Sequence, residues 1–162
     1  MSDVVVTTPG PAEIRLTRRF AAAPPLVFAA FTTPALLRRW FGARGWNLVV
    51  CEVDLRVGGA WRYVSRGPDG QEMGHDGTYR VVEPPGRLVF TEVYDDQSYP
   101  GETLIAHEFA AGPAGTELTS LIRYATTAGR DTVLRYPMVR GVTESFERLT
   151  ALLDQQKKEV RP

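Results

Sequence analysis

Cysteine and histidine are scarce in this 162-residue chain, which has one Cys and two His. A lone thiol, Cys51, closes no internal disulfide, and one Cys with two His cannot complete a four-ligand structural zinc site without carboxylates. No structural metal is expected. Charge of one sign is also lacking, since 19 Lys plus Arg stand against 19 Asp plus Glu. Affinity for nucleic acid draws mainly on excess cations that neutralise phosphates, so no nucleic-acid partner is expected. Lysine is confined to Lys157 and Lys158, and the arginine bias that results carries no functional signal of its own. No apolar run approaches the roughly 18 residues that a membrane-spanning helix needs, and the opening MSDVVVTTPGPAE lacks the basic-then-apolar order of a signal peptide. The expectation is a cytoplasmic protein with no membrane span.

What is present is a 43% apolar chain, long enough to bury roughly 70% of its unfolded surface around one core. Residues 1–12, with Pro9, Gly10 and Pro11 and no periodicity, read as a flexible tail. Residues 13–20 alternate, Ile14, Leu16 and Phe20 lying between polar neighbours, which is the period of a half-buried strand. Pro24 and Pro25 open one short helix, and Thr33 with Pro34 open a second as N-cap and first helical residue. From residue 48 to 124 six strands follow, at 48–55, 60–66, 74–82, 87–94, 103–110 and 116–124. The links between them carry Gly58-Gly59, Gly67-Pro68-Asp69-Gly70, Pro84-Pro85-Gly86, the stretch 95–101, and Gly112-Pro113-Ala114-Gly115. Such short links forbid parallel crossovers, so the strands form an antiparallel meander. Residues 131–135 read as a short helical approach. A long helix starts at Pro137 and sets Met138, Val142, Ser145, Phe146, Leu149, Leu152 and Leu153 along one side. The plan is α+β: a curved seven-strand antiparallel sheet wrapped on a long C-terminal helix, with two short helices between strands 1 and 2. One domain is expected over 13–155, with 156–162 as a frayed C-terminus.

The segment RRFAAAPPLVFAAFTTPALLRRWFG (18–42), the Asp54-x-Arg56-x-Gly58-Gly59 run, the GPDG turn and PPGRLVFTE (84–92) resemble the SRPBCC, START-like helix-grip superfamily. Within it, the chain resembles the bacterial branch named after the C-terminal domain of the activator of heat-shock protein 90 ATPase. The resemblance spans about residues 13–155. It implies a cavity between sheet and long helix and supplies no catalytic motif, because these residues are capping prolines, turn glycines and core aromatics.

In 60–66, alternation places Trp61, Tyr63 and Ser65 on one face and Arg62, Val64 and Arg66 on the other. The aromatic face should line the concave side, as ordinary core or as pocket wall. Tyr79 and Phe90 join it as candidate lining. His107 falls between Ile105 and Phe109 and should point inward, as should Ser120 with Leu118, Ile122 and Tyr124. Glu92 shares the face of Leu88 and Phe90. A cluster of His75, Glu92 and His107 is therefore conceivable, provided the register across Pro84-Pro85-Gly86 is right. The alternative is that they are separate polar residues, at least one of them exposed. No catalytic residue is assigned; Glu92 and His107 are the candidates for acid-base work. Two His and one Glu without an HxxxH or HxH spacing do not make a metal site. Cys51, on the face of Val49, Val53 and Leu55, reads as a buried inert thiol. Gly58-Gly59 precedes a strand rather than a helix, so no phosphate loop is present and no cofactor is expected. On the long helix, Met138 and Ser145 are the candidate cavity wall.

Three functions are open on these residues. The first is binding of a small hydrophobic or aromatic ligand, with Trp61, Tyr63, His75, Tyr79, Phe90, Glu92, His107, Ser120, Met138 and Ser145 around it. The second, implied by the resemblance, is a co-chaperone-like partner of a chaperone ATPase, although the named activators carry an additional N-terminal domain for which 162 residues leave no room. The third is a cyclase or dehydratase-like enzyme. A monomer and a homodimer are equally compatible with the sequence.

Overall fold

The computed structural model describes residues 4–96 and 101–160. Its eight strands and four helices run in the order β1 (Val5–Thr7), β2 (Glu13–Phe20), α1 (Pro24–Thr32), α2 (Pro34–Trp40), β3 (Asn47–Val53), β4 (Ala60–Arg66), β5 (Glu72–Glu83), β6 (Arg87–Tyr94), β7 (Thr103–Gly112), β8 (Gly115–Arg123), α3 (Thr127–Arg135) and α4 (Met138–Val160). The strands form one antiparallel sheet in the order β1-β2-β8-β7-β6-β5-β4-β3. β3 to β8 are the expected meander, and β2 closes on β8, so the first expected strand ends beside the last.

The sheet has eight strands, not seven. The additional strand, β1, lies in the stretch read as a tail and pairs with the edge of β2 through Val5↔Thr17, Val6↔Leu16 and Thr7↔Arg15. Three residues shortly before Pro9 and Gly10 carry too short a pattern to register as a strand, and only the open edge of β2 gives them a ladder. Two helix boundaries also differ. α3 begins at Thr127, where the Thr126 hydroxyl accepts a bond from the Gly129 N–H at 2.9 Å, and α4 continues through the expected frayed end to Val160. Thr33 stands at the N-cap of α2 as expected, but its side chain makes no capping bond; its carbonyl takes the N–H of Leu37 instead, at 2.9 Å.

Burial follows the alternation. In β4, Trp61, Tyr63 and Ser65 are buried at 2%, 8% and 3% exposure. The outward residues are tied across strands: Arg62 meets Asp76 and Asp95, Arg66 meets Glu72, and Glu13 meets Arg123. These pairs add little stability each, but they keep the convex face polar and balanced in charge. On the concave side, α4 lays Phe146, Leu149, Leu152 and Leu153 against the sheet. α1 and α2 close the space between them, with Val27, Phe28, Leu37 and Trp40 in the same core.

Two shifts of register decide which side chains point inward. At Val49 the β3–β4 ladder skips one residue, so Leu48 and Cys51 are both buried and Val49 leaves the face it was expected to share with Cys51. At Arg80 the β5–β6 ladder skips another, so that Tyr79↔Phe90 and Val82↔Leu88 both form.

Candidate functional site

Between sheet, α4 and the two short helices lies a void of about 160 Å³. Its floor comes from alternate residues of neighbouring strands: Trp61 and Tyr63 on β4, His75 and Tyr79 on β5, Leu88, Phe90 and Glu92 on β6, Ile105 and His107 on β7, Ser120 on β8. Its roof is Phe31 from α1, Leu37 and Trp40 from α2, Phe41 just beyond α2, and Ser145 with Phe146 from α4. Every residue expected to line a cavity is on this wall except Met138. That side chain is only partly buried and packs with Ile14, Leu16 and Tyr124, about two turns nearer the helix start than Ser145, the first α4 residue on the void.

The roof aromatics are the lining that sequence reasoning missed. Phe31, Trp40, Phe41 and Phe146 carry helical periodicity, which marks a buried face but does not say whether that face meets packed atoms or open space. Phe31 touches Trp40 at 4.9 Å, His107 at 5.1 Å and Phe109 at 5.3 Å between ring centroids. Phe41 stands on Tyr63 at 5.2 Å. Its loop is held down by α4: the Gly42 N–H donates to Ser145 Oγ at 3.1 Å, and Arg148 donates to the carbonyls of Gly42 at 3.0 Å and Trp46 at 2.8 Å.

The expected trio of His75, Glu92 and His107 resolves into two separate pairs. His75 Nδ1 lies 2.8 Å from Glu92 Oε2, with the two side chains 3% and 12% exposed. The His75 ring is held by Tyr94, stacked at 4.8 Å and 10°, and by Trp61 edge-on at 5.3 Å. His107 Nδ1 lies 2.7 Å from Ser120 Oγ, its direct cross-strand neighbour. Burial without a nearby charge lowers the His107 pKa to about 4, so the imidazole is neutral at pH 7. The part of the ring that remains accessible is its surface on the void. Burial also raises the phenols of Tyr63 and Tyr79 and the thiol of Cys51, keeping all three protonated at neutral pH. Among the described residues, no three His, Cys, Asp or Glu side chains converge as a metal site.

One irregularity accompanies this wall. Opposite Thr91 the β5–β6 ladder opens, and other groups fill it: Trp61 Nε1–H donates to the Thr91 carbonyl at 3.2 Å, and the Thr78 N–H donates to Thr91 Oγ1 at 3.0 Å. Gly77 sits at the closest approach, where a Cβ would run into the Thr91 carbonyl. The indole thus reaches across β5 to the Thr91 carbonyl of β6.

A single antiparallel sheet closed around a C-terminal helix, with two short helices after the first long strand, defines the SRPBCC helix-grip class. Residues 21–154 match the family of activator of Hsp90 ATPase homolog 1-like proteins, and the chain belongs to that family. A crystal structure of a Rhodobacter sphaeroides protein is 35% identical, covers 94% of this chain and 99% of its own, and superposes with a TM-score of 0.89. The AHSA1 protein from Silicibacter pomeroyi is 29% identical over 90% of this chain and 99% of its own, with a TM-score of 0.74. A Nitrosomonas europaea protein is 25% identical over 92% of this chain and 98% of its own, with a TM-score of 0.82. No curated protein matches the chain. Among the described residues, no helix is long and apolar enough to cross a membrane.

Proposed function

We propose that the protein binds a small hydrophobic or aromatic molecule in the void between the sheet and α4. The observation that carries this reading is a space of about 160 Å³, walled by apolar and aromatic groups, on whose wall two part-buried imidazole pairs are set. Apolar walls supply affinity, and a few fixed polar groups supply orientation.

The test is an amide NMR titration against fatty acids, sterols, aromatic polyketides and single-ring aromatics. Saturable shifts around Trp61, Tyr79, His107 and Ser145 support the reading. Ser120→Phe, which pushes a ring into the space, is expected to abolish those shifts while native amide dispersion persists; binding retained in that variant rejects this void as the site.

The family description favours one second reading, a co-chaperone-like contact with a chaperone ATPase. Its test is a pulldown with the host chaperone and ATPase rates with and without the protein, and an absence of both binding and stimulation removes it.

A further inference from the structure

We infer that the molecule this cavity takes is a single-ring aromatic carrying a hydroxyl group, a phenol in its simplest form, whose O–H donates to Glu92. The inference rests on the ligand-cavity reading above and narrows it through volume and unspent hydrogen-bonding capacity.

Volume sets the skeleton. An apolar cavity of about 150 Å³ holds one benzene ring, and this one measures about 160 Å³. Cavities for drug-sized molecules run from about 300 Å³ upward, so a sterol, a flavonoid or a long acyl chain exceeds the space. The walls suit a flat ring. Phe31 borders the void from the roof and Trp61 and Phe90 from the floor, where Phe90 meets Trp61 edge-to-face at 5.5 Å, the arrangement in which aromatic rings attract one another.

Polar capacity sets the substituent. His107 Nδ1 and Ser120 Oγ engage each other at 2.7 Å, and His107 keeps only its neutral Nε2 for a ligand. Ser145 Oγ is engaged by the Gly42 N–H. Glu92 supplies the charged acceptor: Oε2 is taken by His75, and no described residue bonds Oε1 on a side chain that borders the void. A carboxylate oxygen only accepts, so the ligand group that suits it is a donor. A neutral O–H fills that role without the desolvation that an ammonium group would suffer on entering the same space. His75, clamped between Tyr94 and Trp61, holds the carboxylate in one orientation, so the acceptor is pre-set before the ligand arrives.

The test compares p-cresol with p-xylene, nearly the same shape without the hydroxyl, and with decanoate and β-estradiol as larger probes. Affinities are measured by calorimetry and amide NMR on the wild-type chain and on Glu92→Gln. The expected result is saturable binding of p-cresol, about tenfold or more tighter than p-xylene, because a hydrogen bond to a charged group is being gained. In Glu92→Gln that preference should shrink to a few-fold, since the remaining amide carbonyl is a weaker acceptor. If p-xylene binds wild type as well as p-cresol does, the Glu92 contact is overturned. If decanoate or β-estradiol binds more tightly than p-cresol, the single-ring assignment is overturned and the broader ligand-cavity reading stands. If no probe of any size perturbs the cavity amides, both fall together.

Discussion

Acid should unfold this protein partly through His107, and replacing that one residue should remove the effect. In the unfolded chain the imidazole titrates near 6.5, whereas burial among Phe31, Phe90 and Phe109 lowers it to about 4 in the fold. Above pH 6.5 both states hold the ring neutral, and the group takes nothing from stability. As pH falls from 6.5 to about 4 the unfolded chain binds a proton that the folded one refuses, so stability declines across that window; below it both states are protonated and this loss stops growing. One pKa unit is worth about 1.4 kcal/mol, so the fall to about 4 corresponds to about 3 kcal/mol, a large share of the roughly 5–15 kcal/mol that holds a domain folded. The perturbation is His107→Gln, which keeps an amide donor for Ser120 and cannot ionise. Urea denaturation of both proteins at about pH 7.5 and pH 4 gives two differences, and subtracting them cancels every carboxylate common to both chains. The variant is expected to lose about 3 kcal/mol less than wild type between the two pH values. Parallel losses in the two proteins would show that His107 titrates normally and that the dry setting described for it is wrong.

Other consequences can be read in the same denaturation and labelling experiments. Leu149, fully buried on α4 against the sheet, should cost about 2–5 kcal/mol when cut to Ala; a loss below about 1 kcal/mol would mean that the helix is not gripped as described. Gly77→Ala places a Cβ against the Thr91 carbonyl, and a loss near the upper end of the usual 0.5–3 kcal/mol range is expected, together with a changed indole fluorescence spectrum in a Trp40→Phe, Trp46→Phe background that leaves Trp61 alone. An unchanged spectrum and midpoint would show that the indole does not depend on that close approach. Cys51, buried and with a raised pKa, should react with iodoacetamide far more slowly in the native protein than in urea; equal rates would place the thiol at the surface.

Much of this architecture can be read without coordinates. The boundaries of β2, β4 and β6 coincide with the expected ones because β2 and β4 keep strict alternation and β6 is an apolar run between clear turn residues. The inward residues Trp61, Tyr63, His75, Tyr79, Phe90, Glu92, His107 and Ser120 all reach one space, since each strand's parity was legible even where its partner was not. Met138 failed for a different reason. Helical periodicity gives the face on which it lies but not the depth along the axis at which the void begins, and Met138 lies beyond that depth.

What depends on neighbours along the chain is legible from residue order: which strands alternate, where proline starts a helix, which face of α4 is apolar, and that the charges cancel. Which polar groups meet is settled when the strands pair. His75 takes Glu92 and His107 takes Ser120 because β5 and β6 pair with a one-residue skip at Arg80 while β7 and β8 pair without one. A single-residue slip reverses a strand's faces, yet it leaves the alternation within each strand untouched, so local pattern cannot report it. The void is decided at the same level. It is the space that a floor of strands and a roof from α1, α2 and α4 fail to fill together, and no one of those segments contains it.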